Sequence, residues 1–375
     1  MRKMDYFLIR LVLWVVRPKE KGKDMEFQRI KKIICIKLWG LGNLVVIDPL
    51  LCKIKERFPN AHLTFITFDS NKGFLERNKA IDRIIYFKLT TNIFYIIKGI
   101  LALTREARAQ RIDLVINFET FNRASALFSY LTRAPLRIGP SGSYEKDFYT
   151  HSSDDEKIKH IFEIFFSRLK PLGINSSYQY RCFSSWENDR SKIESILKDY
   201  NVGEFICIHP GTSTNFLGKR WPEGYFAALT DMLIGAYDIP VLFTGTRKEQ
   251  SAVRRIMAQI SHKGKIFDLT GRLTVWELTE LLRKSRLFIA NDTGPVHLAA
   301  SLGINVAAIY GPTAPQRFGP LNENSVVFYQ HRPCSPCVGI NYVNKRCRQN
   351  FKCLDFSSQT IFNGISEKFF NAQRN

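Results

Sequence analysis

Short, wholly apolar runs alternate with helix-length segments along most of this chain, and the alternation happens twice. Ile33-Ile-Cys-Ile-Lys-Leu38 reads as a first strand, followed by the turn Trp39-Gly-Leu-Gly-Asn43 and a helix over residues 44–58. Pro49 within that helix predicts an early kink or a late start. Strands are expected at His62–Thr67 and at residues 81–87, a long helix over 93–111, a strand at Asp113–Phe118, a helix over 124–131 and a short strand at Leu136–Ile138. A polar loop over 147–155 and a helix over 157–172 follow. The pattern then restarts with strands at Phe205–His209, Pro240–Thr244, Arg286–Ala290 and Asn305–Tyr310, and helices over 225–235 and 249–260 between them. Strands that are apolar without alternation are buried on both faces, which is the condition of a parallel sheet covered by helices. The expectation is an α/β protein of two Rossmann-like domains.

At 375 residues the chain is long enough for two ordinary cores. The expected divisions are a basic amphipathic segment and linker over 1–30, a first domain over 31–185 and a second over 186–375. A net charge of +21 points to an anionic partner. No zinc-finger, RRM or helix-turn-helix signature accompanies the charge, so nucleic acid is not expected. Tyr6 to Val16 is apolar except for Arg10 and is flanked by Arg2, Lys3, Arg17, Lys19, Lys21 and Lys23. It is shorter than the ~20 residues that span a bilayer. It reads as an interfacial helix on anionic lipid or as a helix packed on the protein itself. With no secretory cleavage site, the expected location is the cytoplasm, peripheral on the inner face of the cytoplasmic membrane, as a monomer.

Four strand ends in the second half collect chemistry. Arg286–Ala290 runs into Asn291-Asp-Thr-Gly-Pro-Val-His297 and an alanine-rich helix, and the next strand ends in Tyr310-Gly-Pro-Thr313. The free amides at such a helix start favour a phosphate. His209-Pro-Gly-Thr-Ser213 continues to Lys219-Arg-Trp-Pro222, offering hydroxyls and a cation. Thr244-Gly-Thr-Arg-Lys-Glu249 places a carboxylate at a fourth end, although an acid there equally suits a helix N-terminus.

Asp292-Thr-Gly-x-x-His297-Leu-x-x-Ala with the later Tyr310-Gly-Pro-Thr resembles the bacterial lipopolysaccharide heptosyltransferases, glycosyltransferase family 9, and the likeness runs from about residue 31 to 355. Together with two halves lacking a Gly-x-Gly-x-x-Gly fingerprint, it implies the glycosyltransferase B-type fold, two Rossmann-like domains facing a central cleft. The implied activity is inverting, metal-independent transfer of a heptose or related sugar from an ADP-type nucleotide sugar to a lipopolysaccharide core or similar anionic glycolipid, with no cofactor required. In that reading Thr212, Ser213, Lys219, Glu249, Asp292, Thr293, Gly294 and His297 bind the donor: Lys219 the diphosphate, Glu249 the ribose, Asp292 the sugar. Arg123, Arg137 and Lys146 are candidate contacts for acceptor phosphates.

One departure matters. Where the family pattern has Gly-Asp before an apolar stretch, and the Asp is the proposed general base, this chain has Asn43. Glu119, the first carboxylate past the Asp113–Phe118 strand, is the favoured replacement, and Asp48 a weaker one. The alternatives are an inactive nucleotide-sugar or glycolipid-binding homologue and a nucleotide-sugar 2-epimerase. Near the C-terminus Cys334-x₂-Cys337-x₉-Cys347-x₅-Cys353 offers four thiolates to a structural zinc, or else forms a redox-sensitive or packed cluster.

Overall fold

Two parallel six-stranded sheets, wound in the same order, organise the chain. The computed structural model describes residues 29–371 apart from 89, 91, 121, 142–145, 154–157, 159, 176–189, 213–217, 340–346 and 348. The interfacial segment Tyr6–Val16 expected from the sequence, and Ser213, lie outside the described residues. Among the described residues no helix is long and apolar enough to cross a membrane.

The chain divides into two compact units: residues up to Trp39 with Leu50–Ser177, and Gly40–Pro49 with residues 178–375. The first sheet is built from β1 (Lys32–Ile36), β2 (His62–Phe68), β3 (Arg83–Phe87), β4 (Leu114–Asn117), β5 (Leu136–Pro140) and β6 (His151–Ser153), in the order β3-β2-β1-β4-β5-β6. The second uses β7 (Ile206–His209), β8 (Val241–Phe243), β9 (Ile266–Asp268), β10 (Leu287–Asn291), β11 (Val306–Tyr310) and β12 (Ser325–Tyr329), in the order β12-β11-β10-β7-β8-β9. Each is the doubly wound order in which strand direction of travel reverses between the first and fourth strand, here β1/β4 and β7/β10. The strands at these reversals, β4, β7 and β10, are buried at every position, as continuous apolar runs require.

The helices are α1 (Leu41–Arg57), α2 (Ile93–Gln110), α3 (Arg123–Leu131), α4 (Ile161–Ser167), α5 (Ser191–Asp199), α6 (Glu223–Tyr237), α7 (Gln250–Gln259), α8 (Val275–Lys284) and α9 (Gly294–Ser301), then the short α10 (Pro315–Phe318) and α11 (Ser358–Ser366). The late start expected of α1 is not seen. It begins at Leu41 and contains Pro49, because Leu44 to Leu51 are all buried and their packing outweighs one lost backbone bond. The helix expected over 157–172 is shorter. His160 caps α4 by accepting from Phe162 N, and a 3-10 turn at Lys170–Leu172 replaces its last part. α9 is short and buried all round, which suits Ala299 and Ala300, and the chain leaves it through Gly303 at φ 74°.

Candidate active site

Each sheet reversal holds a lysine–carboxylate pair at the carboxyl ends of its strands. In the first unit β1 runs into Lys37 and β4 into Glu119. Both are buried, and Lys37 Nζ lies 3.0 Å from Glu119 Oε1. The same oxygen accepts from Leu38 N at 2.6 Å and Trp39 N at 3.3 Å. Three donors fix the orientation of the carboxylate, and none of these bonds uses Oε2.

The second unit repeats the device. Asp292 follows β10, and its Oδ2 accepts from Lys219 Nζ at 2.7 Å and from Thr313 Oγ1. None of these bonds uses Oδ1. The loop after β7 is tied to β10 by Asn291, which donates from Nδ2 to Pro210 O at 2.7 Å and accepts from Trp221 N at 3.0 Å. Trp221 is buried and donates from its indole to Phe356 O at 3.1 Å, so Lys219 sits on an anchored loop. Arg220 donates to Thr212 Oγ1 and Thr212 O, each at 3.3 Å. Lys219, Asp292 and Thr313 form one connected polar group beside the start of α9, whose N-cap is Thr293. Gly42, in the Gly40–Pro49 segment of this same unit, lies against α9. A Cβ there would fall 2.9 Å from His297 Cδ2 and 3.2 Å from Gly294 Cα.

Glu249 ends the 3-10 turn Arg247–Glu249 that follows β8. It is buried and closes a capping box, accepting from Thr246 N at 2.7 Å and Thr246 Oγ1 at 2.8 Å through Oε2. The helix-start reading of this acid is thus realised, and Oε1 takes neither bond. Gly211 is required beside it, since a Cβ would lie 2.0 Å from Oε1. His209 Nε2 is 4.0 Å from Glu249 Oε2, and His209 Nδ1 is 3.2 Å from Thr244 Oγ1. Burial holds the His209 imidazole below its ordinary range, with Glu249 opposing part of the effect.

Some expected residues are placed elsewhere. Arg137 is buried and donates to Phe148 O and Ala134 O, with Tyr130 at its face, so it braces the fold. Arg123 is half-buried at the start of α3, and Lys146 lies in a 3-10 turn with its side chain outside the described residues. Asp48 is buried inside α1. Asn43 lies in the first turn of α1, half-buried.

The zinc expectation is not supported. Among the described residues no group of three or more His, Cys, Asp or Glu is arranged to hold a metal ion. Cys334, Cys337, Cys347 and Cys353 are free thiols in one neighbourhood. Burial, then the neighbouring Cys337, Cys347 and Cys334, pushes the Cys353 thiol up to about 11. Cys353 packs into the second unit's core, and Cys347 Sγ accepts from Phe351 N, so two of the four serve other contacts.

Lys37, Asn291, His209, Arg220 and Thr313 received no role from the sequence. Lys37 had a readable signal: a lysine inside the apolar run Ile33–Leu38, next to the strand's end. Thr313 reaches Asp292 only in three dimensions, and Asn291, next to it in the chain, bonds instead to the loop after β7.

Two doubly wound units, one with a lysine–aspartate–threonine group and a helix start at its reversal, have the architecture of the glycosyltransferase B-type fold. A solved family 9 glycosyltransferase from Veillonella parvula DSM 2008 superposes with a TM-score of 0.75 at 22% identity, covering 94% of this chain and all of that one. The ADP-heptose lipopolysaccharide heptosyltransferase II of Escherichia coli gives 0.71 at 18%, covering 92% and 100%. In sequence, the Escherichia coli lipopolysaccharide heptosyltransferase 3 is 24% identical over 306 residues, 77% of this chain and 86% of that protein. The sequence profile of glycosyltransferase family 9 (heptosyltransferase) matches residues 100–347. The chain belongs to glycosyltransferase family 9, and it is a glycosyltransferase.

Proposed function

We propose that this enzyme transfers a heptose or a closely related sugar from an ADP-type nucleotide sugar to a lipopolysaccharide core or similar glycolipid, with inversion at the anomeric carbon. The observation that carries the reading is the group Lys219–Asp292–Thr313 at the β7/β10 reversal beside the start of α9. Strand reversals of this kind are where doubly wound sheets bind nucleotides. Lys219 and the amides of Thr293 and Gly294 supply positive charge where a diphosphate leaves, and a pre-oriented cation stabilises that developing charge without reorganising. Asp292 Oδ1 is the oxygen assigned to sugar hydroxyls, and Glu249 Oε1 the one assigned to ribose. The ADP-heptose of the Escherichia coli relative's description, with the family membership, favours an adenine donor and a heptose.

In the proposed step an acceptor hydroxyl gives its proton to Glu119 Oε2. Its oxygen then bonds the anomeric carbon as the bond from that carbon to the diphosphate breaks, and the nucleoside diphosphate leaves with the electron pair. Glu119→Gln is expected to lower turnover about 10²–10⁴-fold with donor affinity unchanged. The test is nucleotide release from ADP-heptose, with GDP- and UDP-sugars as comparators, in the presence of core oligosaccharide. Full activity of Glu119→Gln would remove the base assignment.

Asn43 favours a second reading, a binding protein without turnover, because the family pattern places a carboxylate there. Asn43→Asp separates the two. Under the transfer reading it keeps or raises activity. If neither the natural chain nor Asn43→Asp releases nucleotide from any donor, binding alone is the function. Attachment to the cytoplasmic face of a membrane, as a peripheral monomer, completes the proposal.

A further inference from the structure

The outer face of α2 is apolar where a surface helix is ordinarily polar. Phe94 is 78% exposed, Tyr95 69%, Ile97 43% and Leu101 48%. These are four of the seven exposed large hydrophobic residues among the described ones. Phe94, Ile97 and Leu101 follow three- and four-residue steps, so they form one stripe, with Tyr95 at its edge. The opposite side of the helix is already occupied. Ala107, Ile100 and Leu103 pack on the core of the first unit, and Gly99 lies so close to Phe87 that a Cβ would fall 2.5 Å from its ring. The apolar stripe is therefore a second, outward face.

Its charge identifies the occupant. Lys98 and Arg105 are exposed beside the stripe and form no ion pair among the described residues; Lys88, just before the helix, is exposed as well. Glu106 is the one acid of α2, and it is neutralised by Arg83. Large apolar side chains with unpaired cations beside them fit the boundary between the acyl chains and anionic headgroups of a bilayer.

The inner side of the same helix leads to the Glu119 pair inside the same unit. Phe87 lies against Gly99 and faces Phe68 at a ring distance of 6.4 Å, and Phe68 meets Trp39 edge-on at 4.7 Å. Trp39 is itself exposed, and its N–H is one of the three donors to Glu119 Oε1.

We infer that α2 is a membrane-docking helix, which lies on anionic lipid through Phe94, Tyr95, Ile97 and Leu101 with Lys98 and Arg105 at the headgroups. The inference deepens the glycolipid reading above, whose acceptor is itself embedded in a bilayer, and names the surface that meets it.

Flotation of the full chain with vesicles tests it. The probes are phosphatidylcholine vesicles with and without phosphatidylglycerol, at low and high salt. The natural chain is expected to float with the anionic vesicles and to be partly released by salt. Phe94→Ser/Ile97→Ser/Leu101→Ser is expected to lower that partitioning by roughly tenfold or more. Lys98→Glu/Arg105→Glu should lower it by about tenfold on anionic vesicles and little on neutral ones. Because these side chains are outside the core, circular dichroism and nucleotide affinity should be unchanged. Flotation of the triple variant equal to the natural chain would overturn the inference and assign lipid affinity to other residues. A natural chain that sediments as a dimer, with the triple variant monomeric and flotation equal, would make the face a contact between copies instead. Flotation needs no turnover, so its result stands apart from whether ADP-heptose is the donor. With transfer confirmed, the triple variant should lose rate on acceptor held in vesicles and keep it on delipidated oligosaccharide.

Discussion

Lys219 and Glu119 show how little of a proposed site residue's role lies in its own identity. Lys219 matters because Asp292 holds it and because Trp221 anchors its loop. Its replacement by alanine removes one charge-assisted contact, about 1.5–3 kcal/mol, so donor affinity should fall roughly 10- to 150-fold in calorimetry. An unchanged affinity would detach Lys219 from the diphosphate. The sequence showed Lys219, Asp292 and Thr313 as members of two motifs. It could not show that a single oxygen of Asp292 takes both donors, since that depends on where β7, β10 and β11 end relative to one another. Arg137 shows the converse. A basic residue inside the short strand over 136–138, it reads as a candidate phosphate contact, and its burial turns its donors to main-chain carbonyls. His209 makes a pH prediction. Its folded pKa is depressed by burial, so its contribution to stability is complete above the unfolded value of about 6.5 and is lost as pH falls through that value toward the folded one. Denaturant midpoints measured between about pH 7.5 and 5.5 should drop more for the natural chain than for His209→Gln. Equal drops would mean His209 is not the responsible group.

Elements with a strong local signal were legible, and those held by neighbours were not. β1, β2, β4, β7, β10 and β11 carry continuous apolar runs and were read close to their observed bounds. The short strands β6, β9 and β12 were missed: β6 is polar and mostly exposed, so hydrophobicity does not mark it, whereas β9 and β12 carry apolar residues too few to stand out as separate strands. α8 was also missed, though it had a signal. Thr274 and Glu277 form a capping box, with Thr274 N donating to Glu277 Oε2 at 2.7 Å and Glu277 N to Thr274 Oγ1 at 3.3 Å. Glu277 also meets Lys192 of α5 at 2.9 Å. Thr274→Ala should therefore cost about 1 kcal/mol of stability, within the range of 0.5–2 found for lost N-caps, as read by urea denaturation. No change in midpoint would mean that packing alone holds the start of α8. α2 was predicted as a helix over nearly its observed length, but its outward apolar stripe became visible only once the inner face had been assigned to the sheet.

At the scale of the whole molecule, both sheets share one winding order, and each places its lysine–carboxylate pair at the reversal. The repeating α/β pattern made the winding class readable. The strand order itself follows from which strand pairs with which, and no local pattern encodes that. The division of the chain was also out of reach, because the second unit includes Gly40–Pro49 as well as everything from residue 178 on. That discontinuity bears on synthesis. During translation the ten residues that complete the later unit leave the ribosome long before the strands they will join, and they must wait for β7 to β11 to emerge. A separately expressed fragment starting at residue 190 should consequently fold its sheet but leave the start of α9 without Gly42 beside it. Its nucleotide affinity should be weaker than that of the intact chain and partly recover when a peptide of residues 40–49 is supplied, whereas equal affinity without the peptide would make those ten residues a passenger.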